Sequence, residues 1–114
     1  MNGLKVLCME RKDKLMQLRN IDYFILKAII FYDCEANTKQ ITERLKVFFD
    51  LGFKLTETNT ITRIYLRSRL VLLEECGFLE VVKSRPRIYI LRKEIKHVAQ
   101  SWVAAYMGLL EAKI

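Results

Sequence analysis

The side chains best equipped for chemistry in this sequence are cationic, and they come in two clusters. Arg63, Arg67 and Arg69 fall within a stretch of helical periodicity, while Lys83, Arg85 and Arg87 crowd a short segment around Pro86. Guanidinium and ammonium groups spaced in this way suit the non-covalent capture of phosphate oxygens, and an arginine fork also matches a base edge. Covalent chemistry finds no comparable set. His97 is the single histidine, and no carboxylate and nucleophile join it in a recognisable arrangement. Glu74 and Glu75 are adjacent, so on a helix they do not point together across a cleft. A glycine-rich phosphate loop is also lacking. Cys8, Cys34 and Cys76 lie far apart with no CxxC pair, which argues against a zinc site. Cys34 and Cys76 sit in apolar patterns and read as core thiols of a reducing compartment. The expectation is a binding protein that is not an enzyme and that needs no metal or cofactor.

The elements that would position these cations follow from the apolar periodicity. Leu66, Leu70 and Leu73 recur at helical spacing and predict a helix over Ile61–Cys76, with Gly77 stopping it in the left-handed cap position. The period then changes to that of strands, over Phe78–Val82 and Ile88–Leu91, with Lys83–Arg87 as the tip between them. Pro86 lacks a ladder donor and belongs in that tip. A helix bearing arginines can enter a DNA major groove while the following hairpin lies on the backbone or in the minor groove, the arrangement of a winged helix-turn-helix. On that reading Arg63, Tyr65, Arg67, Ser68 and Arg69 form the recognition surface, and Lys83, Arg85 and Arg87 the wing contacts. Tyr89 reads as a strand packing residue.

Upstream, Asn20 is expected to cap a core helix over Ile21–Asp33, and Asp33–Ala36 to form its exit and loop. Asn37 with Gln40 resembles a capping box for the next helix, which buries Ile41, Leu45 and Phe48 or Phe49. Lys39, Arg44 and Lys46 should face outward there and support the DNA backbone. In the connection Gly52–Asn59, Phe53 and Leu55 alternate with polar residues, so it holds a small strand or is pinned to the core. Asn59 or Thr60 should cap the recognition helix. The last helix, about Glu94–Ala112, carries Ile95, Val98, Trp102, Tyr106 and Leu109 at steps of three and four, and its other side is also apolar. That much apolar surface predicts burial against both its own domain and a second copy, hence a homodimer. The domain plan is an arm over 1–19, a DNA-binding domain over 20–92 and a dimerisation helix over 93–114.

Lys plus Arg is 20 against 13 for Asp plus Glu, and a formal charge of +7 favours a polyanionic partner through counterion release. Asp22 and Lys27 interrupt the best apolar run, so no membrane span is expected. The start lacks the layout of a signal peptide, which points to the cytoplasm.

From Thr38 to Leu91 the order of elements resembles the winged-helix transcriptional regulators of the PadR-like and wider ArsR/MarR-like groups. The residues that carry the resemblance are Leu73-Glu74-Glu75-Cys76-Gly77-Phe78 at the end of the helix and Arg85-Pro86-Arg87-Ile88-Tyr89 in the wing. Ile64 and Tyr65 depart from it, standing where such regulators commonly have a small residue. The expected fold is an α+β, mainly helical winged helix-turn-helix with a C-terminal dimerisation helix, as the resemblance implies, and with an N-terminal extension that has no firm counterpart in those groups. The resemblance also implies binding of a roughly palindromic double-stranded DNA operator as a homodimer. The alternatives are a winged-helix protein-interaction or assembly module that does not bind DNA, and a replication or genome-maintenance factor. A small regulator from a virus, plasmid or archaeal host fits as well as a chromosomal one. A small-molecule effector pocket between subunits is compatible with this plan, and its ligand is not written in the sequence.

Overall fold

The computed structural model describes residues 16–58 and 60–112. In chain order these form α1 (Asn20–Phe31), β1 (Glu35–Asn37), α2 (Thr38–Asp50), α3 (Arg63–Glu75), β2 (Leu79–Val82) and β3 (Ile88–Leu91). A single 3-10 turn, Lys93–Ile95, then leads into α4 (Lys96–Ala112). The architecture is mixed α+β and mainly helical, with a small open sheet of strand order β1-β3-β2. Most of the arm expected over 1–19 lies outside the described residues, as do Cys8 and Asn59.

Helix α1 is the centre of the core. Ile21, Phe24, Ile25, Ala28 and Ile29 recur at helical spacing and are fully buried, and Leu26 buries a further side. The helix accordingly packs against α2, α4 and the sheet. Its cap is Arg19, whose extended backbone N–H donates to the Asp22 carboxylate at 2.7 Å, and the expected cap Asn20 is already helical.

All three helices before the β2–β3 hairpin end in the same way. The residue after the cap turns left-handed, and the two following N–H groups close back on the last turn. At α1 these are Asp33 (φ 61) with Cys34 N–H to Ile29 O at 2.9 Å. At α2 and α3 the left-handed residues are Gly52 (φ 96) and Gly77 (φ 87), with Phe53 N–H to Phe48 O and Phe78 N–H to Leu73 O. Asp33 thus occupies a backbone position that glycine fills twice elsewhere.

After α1 the chain does not simply loop. Cys34 also has positive φ (67), and its carbonyl accepts the Leu91 N–H at 2.9 Å, which lays Glu35–Asn37 beside β3 as a strand not expected from the sequence. Ala36 pairs with Tyr89, and Val81 pairs with Tyr89 from the other side, so β3 is the central strand. Tyr89 and Leu91 are buried on its inner face. Strand β1 ends at Asn37, which forms the expected capping box: Gln40 N–H donates to Asn37 Oδ1 and Asn37 N–H to Gln40 Oε1, both at 2.9 Å. The 52–59 connection contains no strand among its described residues. Leu55 is buried and the Phe53 ring packs on Phe24 at 5.4 Å, so it is pinned to the core. Helix α3 begins later than expected, at Arg63, with Thr62 Oγ1 accepting the Tyr65 N–H at 3.1 Å.

The left-handed cap geometry gives a paired test. Gly77→Ala should destabilise by about 1–2 kcal/mol because a Cβ opposes this backbone. Asp33→Gly, which relieves the same penalty, should leave stability unchanged or raise it by up to about 1 kcal/mol. Urea unfolding midpoints at constant slope measure both, and a destabilised Asp33→Gly would refute the account.

Candidate nucleic-acid interface

Helix α3 turns Leu66, Leu70, Leu72 and Leu73 into the core and leaves the opposite side facing out. Ile64, Arg67, Ser68 and Val71, at helical spacings of three, four and seven, share the exposed face, and Arg63 is exposed beside them. The acidic residues of α3 are confined to its last turn, at Glu74 and Glu75, so its N-terminal half is basic. That end also carries the positive pole of the helix. The Ser68 hydroxyl donates to Tyr65 O at 2.7 Å, which leaves its oxygen free to accept rather than to donate outward. Tyr65 is half-buried and lines an open cleft of about 1000 Å³ with Arg19, Lys54, Thr56 and Thr62.

Arg69 does not join this face. Its guanidinium turns inward to Asp22 of α1, with Nε to Oδ1 at 2.9 Å and Nη2 on Oδ2, and Nη2 also reaches Gln17 O at 2.9 Å. Asp22 is only 1% exposed, and the Arg69 side chain is 12% exposed. The hydrogen bonds to Asp22 raise the Arg69 pKa, against the opposing effect of burial, so this cation stays charged. The recognition role expected for Arg69 is therefore set aside, because its Nε and Nη2 donors are engaged with Asp22 and Gln17.

The hairpin tip is wholly exposed from Lys83 to Arg87. The Ser84 hydroxyl donates to Pro86 O at 2.7 Å, and the Ser84 N–H to Val82 O at 2.9 Å, so the tip is internally braced while its three cations point to solvent. On α2, Lys39 and Lys46 are exposed and share one face at a spacing of seven. Arg44 is separated from them. Its guanidinium carbon stands 3.6 Å from the Phe31 ring centroid, covering α1 instead of joining a basic surface.

The face of α4 expected to meet a second copy is divided. Val98 and Leu109 are 66% and 65% exposed, whereas Ile95 is half-buried against the core. Trp102 packs edge-on to Tyr23 at 5.3 Å and stacks with Phe78 at 5.7 Å. Tyr106 stacks on Tyr23 at 4.0 Å and donates its hydroxyl proton to Asn20 Oδ1. Two of the five residues therefore clasp α4 to its own domain. Burial, with the nearby Asp22 charge, raises the Tyr23 pKa, and burial, with Tyr23, raises that of Tyr106. Among the described residues no metal-ligand cluster occurs, and no helix is long and apolar enough to cross a membrane.

Compared with known proteins, the chain matches no family model, no curated protein and no solved structure. What the site can do rests on its own geometry, which offers two exposed basic surfaces in one continuous segment, the outer face of α3 and the hairpin tip.

Two outcomes are expected. Asp22→Ala should cost about 3–5 kcal/mol by leaving Arg69 buried without its partner, while Asp22→Leu combined with Arg69→Met should recover most of that loss. Equilibrium unfolding of the two variants decides it, and a double variant no better than the single would refute the ion-pair account. The second concerns pH. Tyr23 and Tyr106 hold their protons more tightly folded than unfolded, so their contribution is fully present below the ordinary value of 10.0 and is lost as pH rises through the raised values. Unfolding midpoints should fall on that alkaline limb, and Tyr23→Phe should flatten it.

Proposed function

We propose that this chain is a winged helix-turn-helix protein that binds double-stranded DNA sequence-specifically as a homodimer and regulates transcription. The observation that carries the reading is the exposed, basic N-terminal half of α3 joined directly to a hairpin with three exposed cations at its tip. In this reading α3 enters the major groove, with Arg67 and Ser68 at base edges and Arg63 at the backbone. Lys83, Arg85 and Arg87 neutralise phosphates or reach into the minor groove. Lys39 and Lys46 of α2 support the backbone, and the second copy is held through the exposed aliphatic part of α4, at Val98 and Leu109. The net charge of +7 supports a polyanionic partner.

The exposed aliphatic side chains on α3, Ile64 and Val71, also suit a protein partner, which keeps the assembly-module reading in view. Selection from random duplexes separates the two. A dimeric regulator should recover a pseudo-palindrome with half-sites about 34 Å apart, one DNA turn, or a multiple of it. Reversing the charges of Arg85 and Arg87 should weaken binding to all sequences and lower the salt slope by roughly one for each lost phosphate contact. Absence of both enrichment and salt-sensitive duplex binding would transfer the reading to the protein module. Val98→Asp with Leu109→Asp should yield monomers in sedimentation, since neither residue belongs to the aromatic clasp, and a monomeric parent chain would refute the dimer.

A further inference from the structure

Ile64 is 84% exposed and Val71 47% exposed, and both stand on the outward face of α3 with Arg67 between them. Neither belongs to the core stripe of Leu66, Leu70 and Leu73, so folding of this chain alone does not account for two bulky aliphatic side chains there. Arg63 and Arg67 run along one side of them, and the acidic residues of α3 lie only in its last turn. A face that is apolar along its centre, cationic along one side and at its N-terminal end, and lined by Ser68 on the other matches one surface of duplex DNA, the major groove at A·T pairs. There the thymine C5-methyl group is the apolar feature, and phosphates line both walls.

We propose that Ile64 and Val71 read thymine methyl groups, so that the half-site recognised by α3 is specified by two thymines as much as by hydrogen bonds. The proposal rests on the DNA-binding reading above and adds the chemical class of the bases recognised. Spacing makes it specific. Seven residues of helix span about 10 Å. At about 3.4 Å of rise per base step, the two methyl groups lie roughly three base steps apart. Arg67, one turn after Ile64, falls at an intervening pair, where its fork suits a guanine edge. Ser68 fits the same surface only as an acceptor, because its hydroxyl proton is held by Tyr65 O.

The test replaces single thymidines by deoxyuridine in a duplex site obtained by selection, which deletes one methyl group and leaves every hydrogen-bonding group in place. Two positions about three base steps apart in each half-site should each weaken binding about fourfold on loss of the methyl group, the value of one buried methylene. Ile64→Ala should abolish the sensitivity at one of these positions and Val71→Ala at the other. Exposure makes both variants safe to fold, and their unfolding midpoints verify it. Salt-sensitive, selective binding that ignores every thymine methyl would overturn the proposal and leave the DNA-binding reading standing. Lack of any salt-sensitive duplex binding would remove both. A shift in sedimentation on Ile64→Ala or Val71→Ala, with duplex binding unchanged, would assign the face to a second copy of the chain and overturn the proposal alone.

Discussion

The ion pair between Asp22 and Arg69 is the constraint on which the outer surface depends. A carboxylate 1% exposed inside the most buried helix is tolerable only when several donors reach it, and here Arg69 Nε, Arg69 Nη2 and the Arg19 N–H all do. The same contact caps α1, ties α3 to it across 47 residues of sequence, and fixes the rotation of α3 about its own axis. With Arg69 and the leucine stripe turned inward, helical geometry leaves Ile64, Arg67, Ser68 and Val71 no orientation but outward. A buried charge pair adds little net stability over an apolar pair, and its use here is to specify which face of α3 is presented.

The β2–β3 hairpin obeys a second constraint, that of backbone hydrogen bonding. As the central strand, β3 is paired on both sides, and the ladder is extended by Leu91 N–H to Cys34 O and Arg92 N–H to Phe78 O. The base of the hairpin is therefore fixed by the core, through Tyr89 and Leu91, while the tip carries three cations with Ser84 and Pro86, all exposed. Such a division suits a contact with phosphates, since a fixed base limits where the cations can go and an exposed tip can be reached without opening the core.

Those parts of the fold governed by local chemistry were legible in the sequence. Gly77 ended α3, Asn37 and Gln40 formed a capping box, and Ile88–Leu91 is a strand with the expected bounds, because each depends on neighbours within a few residues. Features set by distant partners were not. A three-residue strand has too short a pattern to register, and β1 exists only because β3 lies beside it. Arg69 reads as a surface cation until its partner on α1 is known, and Arg44 until Phe31 is placed under it. Asn20 lost the cap to Arg19 because Asp22 serves as the acceptor at that helix start. Ile64 and Val71 were within reach, since both fall off the leucine stripe at a spacing of seven, but aliphatic residues on a helix are more readily assigned to a core.

Helix α4 shows why an apolar pattern alone does not locate an interface. Ala99, Val103 and Met107 pack inward, and a monomer with a well-solvated surface would need polar residues opposite them. Instead the next stripe round the helix holds the aromatic clasp, in which Trp102 and Tyr106 fix α4 against Tyr23 and Phe78, and beyond it stand Val98 and Leu109, largely exposed. The clasp restricts the helix to one position before any partner arrives, so an association through the exposed aliphatics would meet a surface already ordered and would lose less conformational entropy on forming. Trp102 is only 38% exposed, and it would then stand at the border between the two contacts. Its substitution would loosen the domain and the association together, whereas Val98 and Leu109 lie outside the clasp and report on association alone.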